Sequence, residues 1–300
     1  MNRRPGRSLN TAGEGIQYFI LALPALVLFA VFVVYPFVGG IVYSLTDWDG
    51  IAPEVHFIGL KNYFTLFKDW YVITPMKNTF IYAFLLTIFQ NVVSLFMAVL
   101  LNQKMRIRGA LRTLWFIPFV ISPLIVGYIW SYLFTDPIAA LGRMIGSKTM
   151  ANNLLGSRAT ALYAGVFVGA WRMAGYTMII YVAGFQNISN EIFEAAKMDG
   201  CRGWKLFRYV SFPLIAPAFT INMVLTMERG FKEYDMMFSL TNGGPGNSSE
   251  LISLTIYRET FEHYRAGYGS AMGVVLFVII AALSLTELYF LRKKEEDIAY

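Results

Sequence analysis

The chain has 300 residues, of which 56% are hydrophobic and 15% charged, against about 25% charged in a typical soluble domain. Together with a mean hydropathy of +0.51, this describes an integral membrane protein and excludes a disordered chain and most soluble enzymes. The single cysteine, Cys201, excludes an internal disulfide, and the two distant histidines, His56 and His263, leave no metal-ligand spacing such as HExxH or CxxC. The net charge of +6 is read as topological rather than as a nucleic-acid footprint.

About 20 apolar residues cross the hydrocarbon core as a helix, so runs without charge locate the spans. Such runs lie between Glu14 and Asp47, Lys77 and Lys104, Arg112 and Asp136, Arg208 and Glu228, and Arg265 and Glu287. Between Arg158 and Glu191, Arg172 alone interrupts. The spacing predicts an all-α membrane protein with six spans, at 16–41, 77–101, 112–134, 160–186, 209–230 and 268–291. The first run follows Arg3, Arg4 and Arg7, as a signal peptide would. It is about twice as long as the ~7–15-residue core of a cleavable signal, so it reads as a retained helix.

Basic residues orient the spans. Arg3, Arg4 and Arg7 precede span one, and Lys104, Arg106, Arg108 and Arg112 join spans two and three. Lys197, Arg202, Lys205 and Arg208 join spans four and five, and Arg292, Lys293 and Lys294 follow span six. Fourteen of the 25 Lys and Arg residues thus fall on one side, which the positive-inside rule makes cytoplasmic, with both termini there. The predicted organisation is a cytoplasmic tail over 1–15, a transmembrane domain over 16–291 and a cytoplasmic tail over 292–300. A cytoplasmic loop is expected at about 187–212 and an external loop at about 231–267. Outside, Asp47-Trp48-Asp49-Gly50 opens a turn-rich segment. Thr241-Asn242-Gly243-Gly244-Pro245-Gly246-Asn247 signals a loop, and a short helix over about 250–263 is expected after it.

The most informative segment joins spans four and five: Asn190-Glu191-Ile192-Phe193-Glu194-Ala195-Ala196-Lys197-Met198-Asp199-Gly200. Ser189 or Asn190 can cap a helix whose positive end Glu191 favours. Ile192, Phe193 and Ala196 form a small apolar face, and Gly200 suits the left-handed residue that ends a helix. Such a helix either lies on the lipid surface or docks as a knob into a partner.

Glu194-Ala195-Ala196, Gly200 three residues on, and Val210-Ser211-Phe212-Pro213 resemble the "EAA" loop of ABC-importer permeases, with Val210 and Phe212 as mild departures. Tyr43-Ser44-Leu45-Thr46-Asp47-Trp48, Phe57-Ile58-Gly59-Leu60-Lys61-Asn62-Tyr63, Asn78-Thr79-Phe80 and Leu240-Thr241-Asn242-Gly243-Gly244-Pro245 resemble the carbohydrate branch, of maltose and glycerol-phosphate permease type. The resemblance runs from about residue 18 to the end and implies the type I importer permease architecture in a bacterial cytoplasmic membrane. It also implies a second, homologous permease as heterodimer partner, two ABC ATPase subunits, an extracellular solute-binding protein docking on the external loops, and a sugar as substrate. This chain would carry no cofactor, because ATP and Mg belong to the partner ATPase. Glu194, Ala195, Ala196, Asp199, Gly200 and Pro213 would couple the permease to that ATPase, with Glu194 as polar anchor. Pro213 and Pro217 remove backbone hydrogen bonds from span five, which suits either a rocking element or a shaped start to the helix.

Matching outward from the loop places the sugar path on Arg172, Met173 and Tyr176 before it and on Thr226, Arg229, Gly230 and Glu233 after it. Charged residues at membrane depth are costly and face a cavity or a partner. The alternative for Arg172 is a structural ion pair with an acidic neighbour. If Arg172 and Arg229 both face the cavity, an acidic or phosphorylated sugar gains weight. Gln90 and Asn91 in span two read as interhelical hydrogen bonds before ligand contacts. Gly165-x-x-x-Gly169 and Gly269-x-x-x-Gly273 read as packing faces.

Gly142 to Thr149 approaches a phosphate-binding P-loop, but Ser147 stands where the pattern requires glycine before Lys148. ATP binding by this chain is therefore rejected. The expected function is import of a sugar, an oligosaccharide, by alternating access. The rivals are glycerol phosphate or another small polar solute as cargo, a secondary transporter, and a lipid-linked transferase. The last lacks paired aspartates at cytoplasmic helix ends.

Overall fold

The computed structural model describes residues 11–103 and 105–299, with side chains from residue 18 to residue 295 apart from 104. Arg3, Arg4, Arg7 and Lys104, which enter the charge argument, lie outside the described residues, as does most of the predicted tail over 1–15. Among the described residues the chain is helical, with no strand and one isolated antiparallel bridge, Thr46 to Phe57.

The long apolar helices are α1 (Tyr18–Tyr43), α3 (Trp70–Leu101), the stretch Pro123–Met144 that begins with α5 (Pro123–Thr135), α6 (Ala161–Gln186) and α11 (Ala266–Ala299). The candidate for a sixth crossing is a broken pair, Trp204–Leu214 followed by α8 (Ala216–Lys232), bent by 71° at the junction. Short helices complete the chain: α2 (Lys61–Leu66), α4 (Arg108–Val120), α7 (Asn190–Met198), α9 (Asp235–Thr241) and α10 (Ile252–Tyr257).

Spans one, four and six fall within a few residues of their predicted bounds. Span two starts earlier than 77, at Trp70, because Asp69 caps it: its carboxylate accepts the Tyr71 N–H at 2.9 Å. Lys77 sits on the exposed side of this helix, so a charge there does not mark its start.

Span three differs in kind. The predicted helix over 112–134 is two helices, α4 and α5, parted by Ile121 and Ser122 with ψ of 137° and 135°. Pro123 is the physical reason, since its ring disfavours the helical conformation in the residue before it and it has no N–H to donate. Span five, predicted as 209–230, breaks similarly between Pro213 and Pro217. The predicted tail over 292–300 extends α11 as helix to Ala299, and Thr220 donates to the Glu295 carboxylate.

The centre of the bundle is the pair α3 and α6, flanked by α8 on α3 and α4 on α6. These contacts are close because glycines stand at the crossings. A Cβ on Gly175 of α6 would lie 2.0 Å from the Trp115 carbonyl oxygen of α4, and one on Gly230 of α8 would lie 2.7 Å from Ala83 Cα. Gly165 and Gly169 face Met237 and Tyr82, so this pair is a packing face. Gly269 packs on Thr260, while Gly273 meets no described neighbour within 4 Å.

The segment read as an external loop over 231–267 folds partly back into the bundle. Its helix α9 lies between α5 and α6 and buries Met236, Met237 and Leu240 against Tyr82, Leu86 and Val126. The helix expected at about 250–263 is present as α10 and a π-helical continuation, Arg258–Glu262. By contrast α1 has no buried residue. It meets α11, where the Phe37 and Phe277 rings lie 4.9 Å apart.

Candidate functional site

Helix α7 stands out from the bundle. Glu194, Ala195, Asp199 and Gly200 are exposed, Phe193 and Ala196 are half-buried, and no residue of α7 is buried. Ser189 occupies the N-cap position with extended backbone but forms no side-chain cap bond. The C-terminus is a Schellman motif: Gly200 N–H donates to Lys197 O at 3.1 Å and Cys201 N–H to Ala196 O at 2.9 Å. Gly200 has φ of +79°, the left-handed value its position was expected to need, and open space around it. A second left-handed glycine, Gly203 (φ +57°), turns the chain into the short arm Trp204–Leu214. Pro213 is half-buried near the end of that arm.

Above this loop a buried polar seam joins three helices. Gln90 Nε2 donates to Thr177 Oγ1 at 2.6 Å, Tyr181 Oη to Asn91 Oδ1 at 2.6 Å, and Ser94 Oγ to the Ala174 carbonyl at 2.9 Å. Asn222 Nδ2 of α8 donates to the Thr177 carbonyl at 3.1 Å. Gln90 and Asn91 are thus the interhelical bonds their sequence context suggested. Tyr181 and Asn222 carried no sequence signal beyond being polar at membrane depth.

The structure divides the residues proposed for the sugar path. Arg229 stacks over the Tyr176 ring, 4.4 Å from its centroid, and Tyr176 in turn lies 4.9 Å from the Phe119 ring of α4. Arg172 is one turn from Tyr176 on the same face of α6, and its Nε donates to the Ile121 carbonyl at 3.4 Å. That carbonyl belongs to the break between α4 and α5. Among the described residues Arg172 makes no ion pair within 4 Å, although Glu233 lies within electrostatic reach. Glu233 accepts the Met236 N–H at 3.3 Å at the start of α9.

Met173, Thr226 and Gly230 are buried in helix contacts instead. Thr226 Oγ1 donates to the Asn222 carbonyl at 2.7 Å. Phe119 was missed because an aromatic in an apolar run carries no signal of its own. The chemistry gathered here, two guanidinium groups beside two aromatic faces, suits a polar ligand with flat apolar patches.

The opposite end of the bundle is densely bonded. Arg258 Nη1 pairs with the Glu250 carboxylate at 2.8 Å, and its Nη2 donates to the Asn242 carbonyl at 3.0 Å. Asn78 Nδ2 reaches the Asn247 and Glu250 carbonyls, and Thr79 Oγ1 accepts the Ile252 N–H at 2.8 Å. Asn62 Nδ2 donates to the Ser44 and Thr46 carbonyls, and Ser44 Oγ bonds Tyr63 Oη at 2.7 Å. The motifs at 43–48, 57–63, 78–80 and 240–245 are therefore largely bonds that tie separate segments together. The N–H groups of Ile51 and Ala52 hold the Asp49 carboxyl below its usual value.

In the segment 142–149, Gly142 packs so closely on the turn that follows that a Cβ there would stand 2.5 Å from the Ala151 nitrogen. Among the described residues no group of three or more His, Cys, Asp or Glu is placed to hold a metal.

Fold and site together define a polytopic helical membrane protein with a polar seam through its centre and an exposed amphipathic helix at one end. The chain belongs to the family of binding-protein-dependent transport system inner membrane components, whose model matches residues 90–294. It is 37% identical to a probable starch degradation products transport system permease protein, AmyD, of Thermoanaerobacterium thermosulfurigenes, over 95% of this chain and 97% of that one. It is 30% identical to the multiple sugar-binding transport system permease protein MsmF of Streptococcus mutans, over 90% and 93% of the two chains. Among solved structures it superposes on a chain of a bacterial alginate ABC transporter in complex with an alginate pentasaccharide-bound periplasmic protein. The TM-score is 0.83, at 20% identity, over 97% of this chain and 99% of that one. The architecture is that of a type I ABC importer permease.

Proposed function

We propose that this chain is one of two permease subunits of a sugar importer, with an oligosaccharide as cargo, powered by ATP hydrolysis on separate subunits. The observation that carries the reading is α7: an exposed helix with the Glu194-Ala195-Ala196 triplet, ended by a left-handed Gly200 and joined through one short arm to the bend in span five. In this reading α7 lies in the cytoplasm, inserts into a cleft on the ATPase, and passes its closure to α8. The permease pair then alternates between outward- and inward-facing states around the wall formed by Phe119, Tyr176, Arg172 and Arg229. The names of the relatives, for starch degradation products and for multiple sugars, support carbohydrate as cargo.

Two arginines in that wall favour a substrate carrying acidic groups over a strictly neutral one. A solute-binding protein delivers the sugar to the densely bonded outer end. ATP and Mg are held by the ATPase, and this chain performs no covalent chemistry.

The test is co-purification in mild detergent with the proteins encoded beside it, followed by ATPase assay with binding protein and candidate oligosaccharides. An associated ATPase and second permease, with hydrolysis stimulated by loaded binding protein, support the reading. A chain that purifies alone and recruits no ATPase overturns it. Glu194→Lys or Gly200→Val is expected to abolish uptake while the chain still inserts and the binding protein keeps its affinity. Full transport in both variants would sink the docking role of α7.

A further inference from the structure

A groove with two arms lies at the end of the bundle that carries α7. The polar arm, about 830 Å3, lies between the end of α3, the start of α4 and α7, with Asn102, Gln103, Arg108 and Lys197 in its wall and no carboxylate. The apolar arm, about 510 Å3, runs up the outside of α3 along Val92, Leu95 and Phe96 to Trp204. Val99, Gln103, Gly203 and Phe207 line both arms, so the two are continuous. Val92, Phe96 and Trp204 are 61%, 63% and 73% exposed, so the apolar arm opens outward from the bundle.

Arg108 and Lys197 are the cations in the wall of the polar arm, with no carboxylate beside them there, and Arg112 lies outside that wall. Arg108 and Arg112 stand one turn apart on the same face of α4, a like-charge pair that destabilises a helix. They also occupy its first turns, the end the macrodipole makes positive, and α4 has no acidic residue there and no side-chain cap. Arg112 Nε and Nη2 are shielded from solvent without a hydrogen-bond partner. Among the described residues neither arginine forms an ion pair. A guanidinium stays charged in any protein environment, so Arg108, with Lys197 across the polar arm, gives that arm a positive charge that favours an anion.

We propose that the double groove seats one anionic phospholipid. Its headgroup phosphate lies against Arg108 and Lys197, Asn102 and Gln103 bond the glycerol region, and one acyl chain follows Val92, Phe96 and Trp204. Trp204 lines the apolar arm next to the shared residue Gly203, and tryptophans are enriched at membrane interfaces. A free phosphate ion would satisfy Arg108 and Lys197 but leave the apolar arm unfilled, and a neutral lipid would do the reverse. The lipid bridges the start of α4 to the segment just after α7, so it fixes the base of the loop. The inference needs only that the chain spans a bilayer and stands apart from the choice of cargo.

Native mass spectrometry of the full chain in mild detergent tests it, with phosphatidylglycerol and phosphatidylcholine of identical acyl chains. A single phosphatidylglycerol adduct favoured by roughly 25-fold is expected, since two basic side chains near an anionic lipid contribute about fivefold each. The double variant Arg108→Gln/Lys197→Gln should bring that preference to within about twofold at an unchanged melting temperature. Val99→Trp, which narrows the shared wall, should lower phosphatidylglycerol occupancy with Arg108 and Lys197 intact. A photoreactive residue at Val92 in membranes should capture lipid. Equal binding of the two lipids by the unaltered chain, a preference unmoved by the double variant, displacement of the adduct by inorganic phosphate, or capture of another polypeptide at Val92 would each overturn the proposal.

Discussion

The two ends of the molecule are built to opposite rules. At the end opposite α7 a buried carboxylate, Glu250, is held by Arg258 and Thr255, and the surrounding loop is tied to α3 through Asn78 and Thr79. At the other end α7 buries nothing, and its backbone bonds are local to the loop. Charged and polar groups fix geometry where they are desolvated and bonded, and leave it free where water already satisfies them. One end is therefore a rigid platform and the other a handle that can be gripped without unfolding anything.

The contrast can be attacked from the rigid side first. Arg258→Ala leaves Glu250 buried without its partner and should cost about 3–5 kcal/mol, read as a fall in the thermal midpoint of the purified chain. Gly175→Ala drives a methyl group into the Trp115 carbonyl, backbone that cannot rotate away, and should cost about 1–3 kcal/mol by the same measurement. Tyr181→Phe removes one bond of the seam and leaves Asn91 Oδ1 without that donor, for about 1–2 kcal/mol. Glu194→Lys probes the free side. It should change stability by less than about 0.5 kcal/mol while uptake of labelled sugar is lost. A large destabilisation there would mean that α7 is braced by contacts its exposure does not reveal.

Much of this was legible in the residues. Length of apolar run located the spans, and Gly200 marked the end of α7 because only a residue tolerant of positive φ closes a Schellman motif cheaply. What escaped has a common cause. The split between α4 and α5 was signalled by Ser122-Pro123, but a charge count is blind to backbone conformation. The burial of α9 depends on Gly127 and Gly165 admitting Ser239 and Met237, a contact between helices that no local pattern contains. The same holds for the site. Arg229 and Tyr176 were singled out separately, yet their stacking depends on how α8 crosses α6. Thr226 and Gly230 stand four residues apart on one face of α8, and that face could be assigned to the packed side only once α3 was in place.

The 71° joint at Ile215 determines how force travels through span five. Two rods meeting at that angle resolve a thrust along one into a motion mostly across the other. Pressure on the arm Trp204–Leu214 would thus swing α8 sideways against α3, where the glycine crossing at Gly230 offers a smooth bearing, rather than pushing it through the bilayer like a piston.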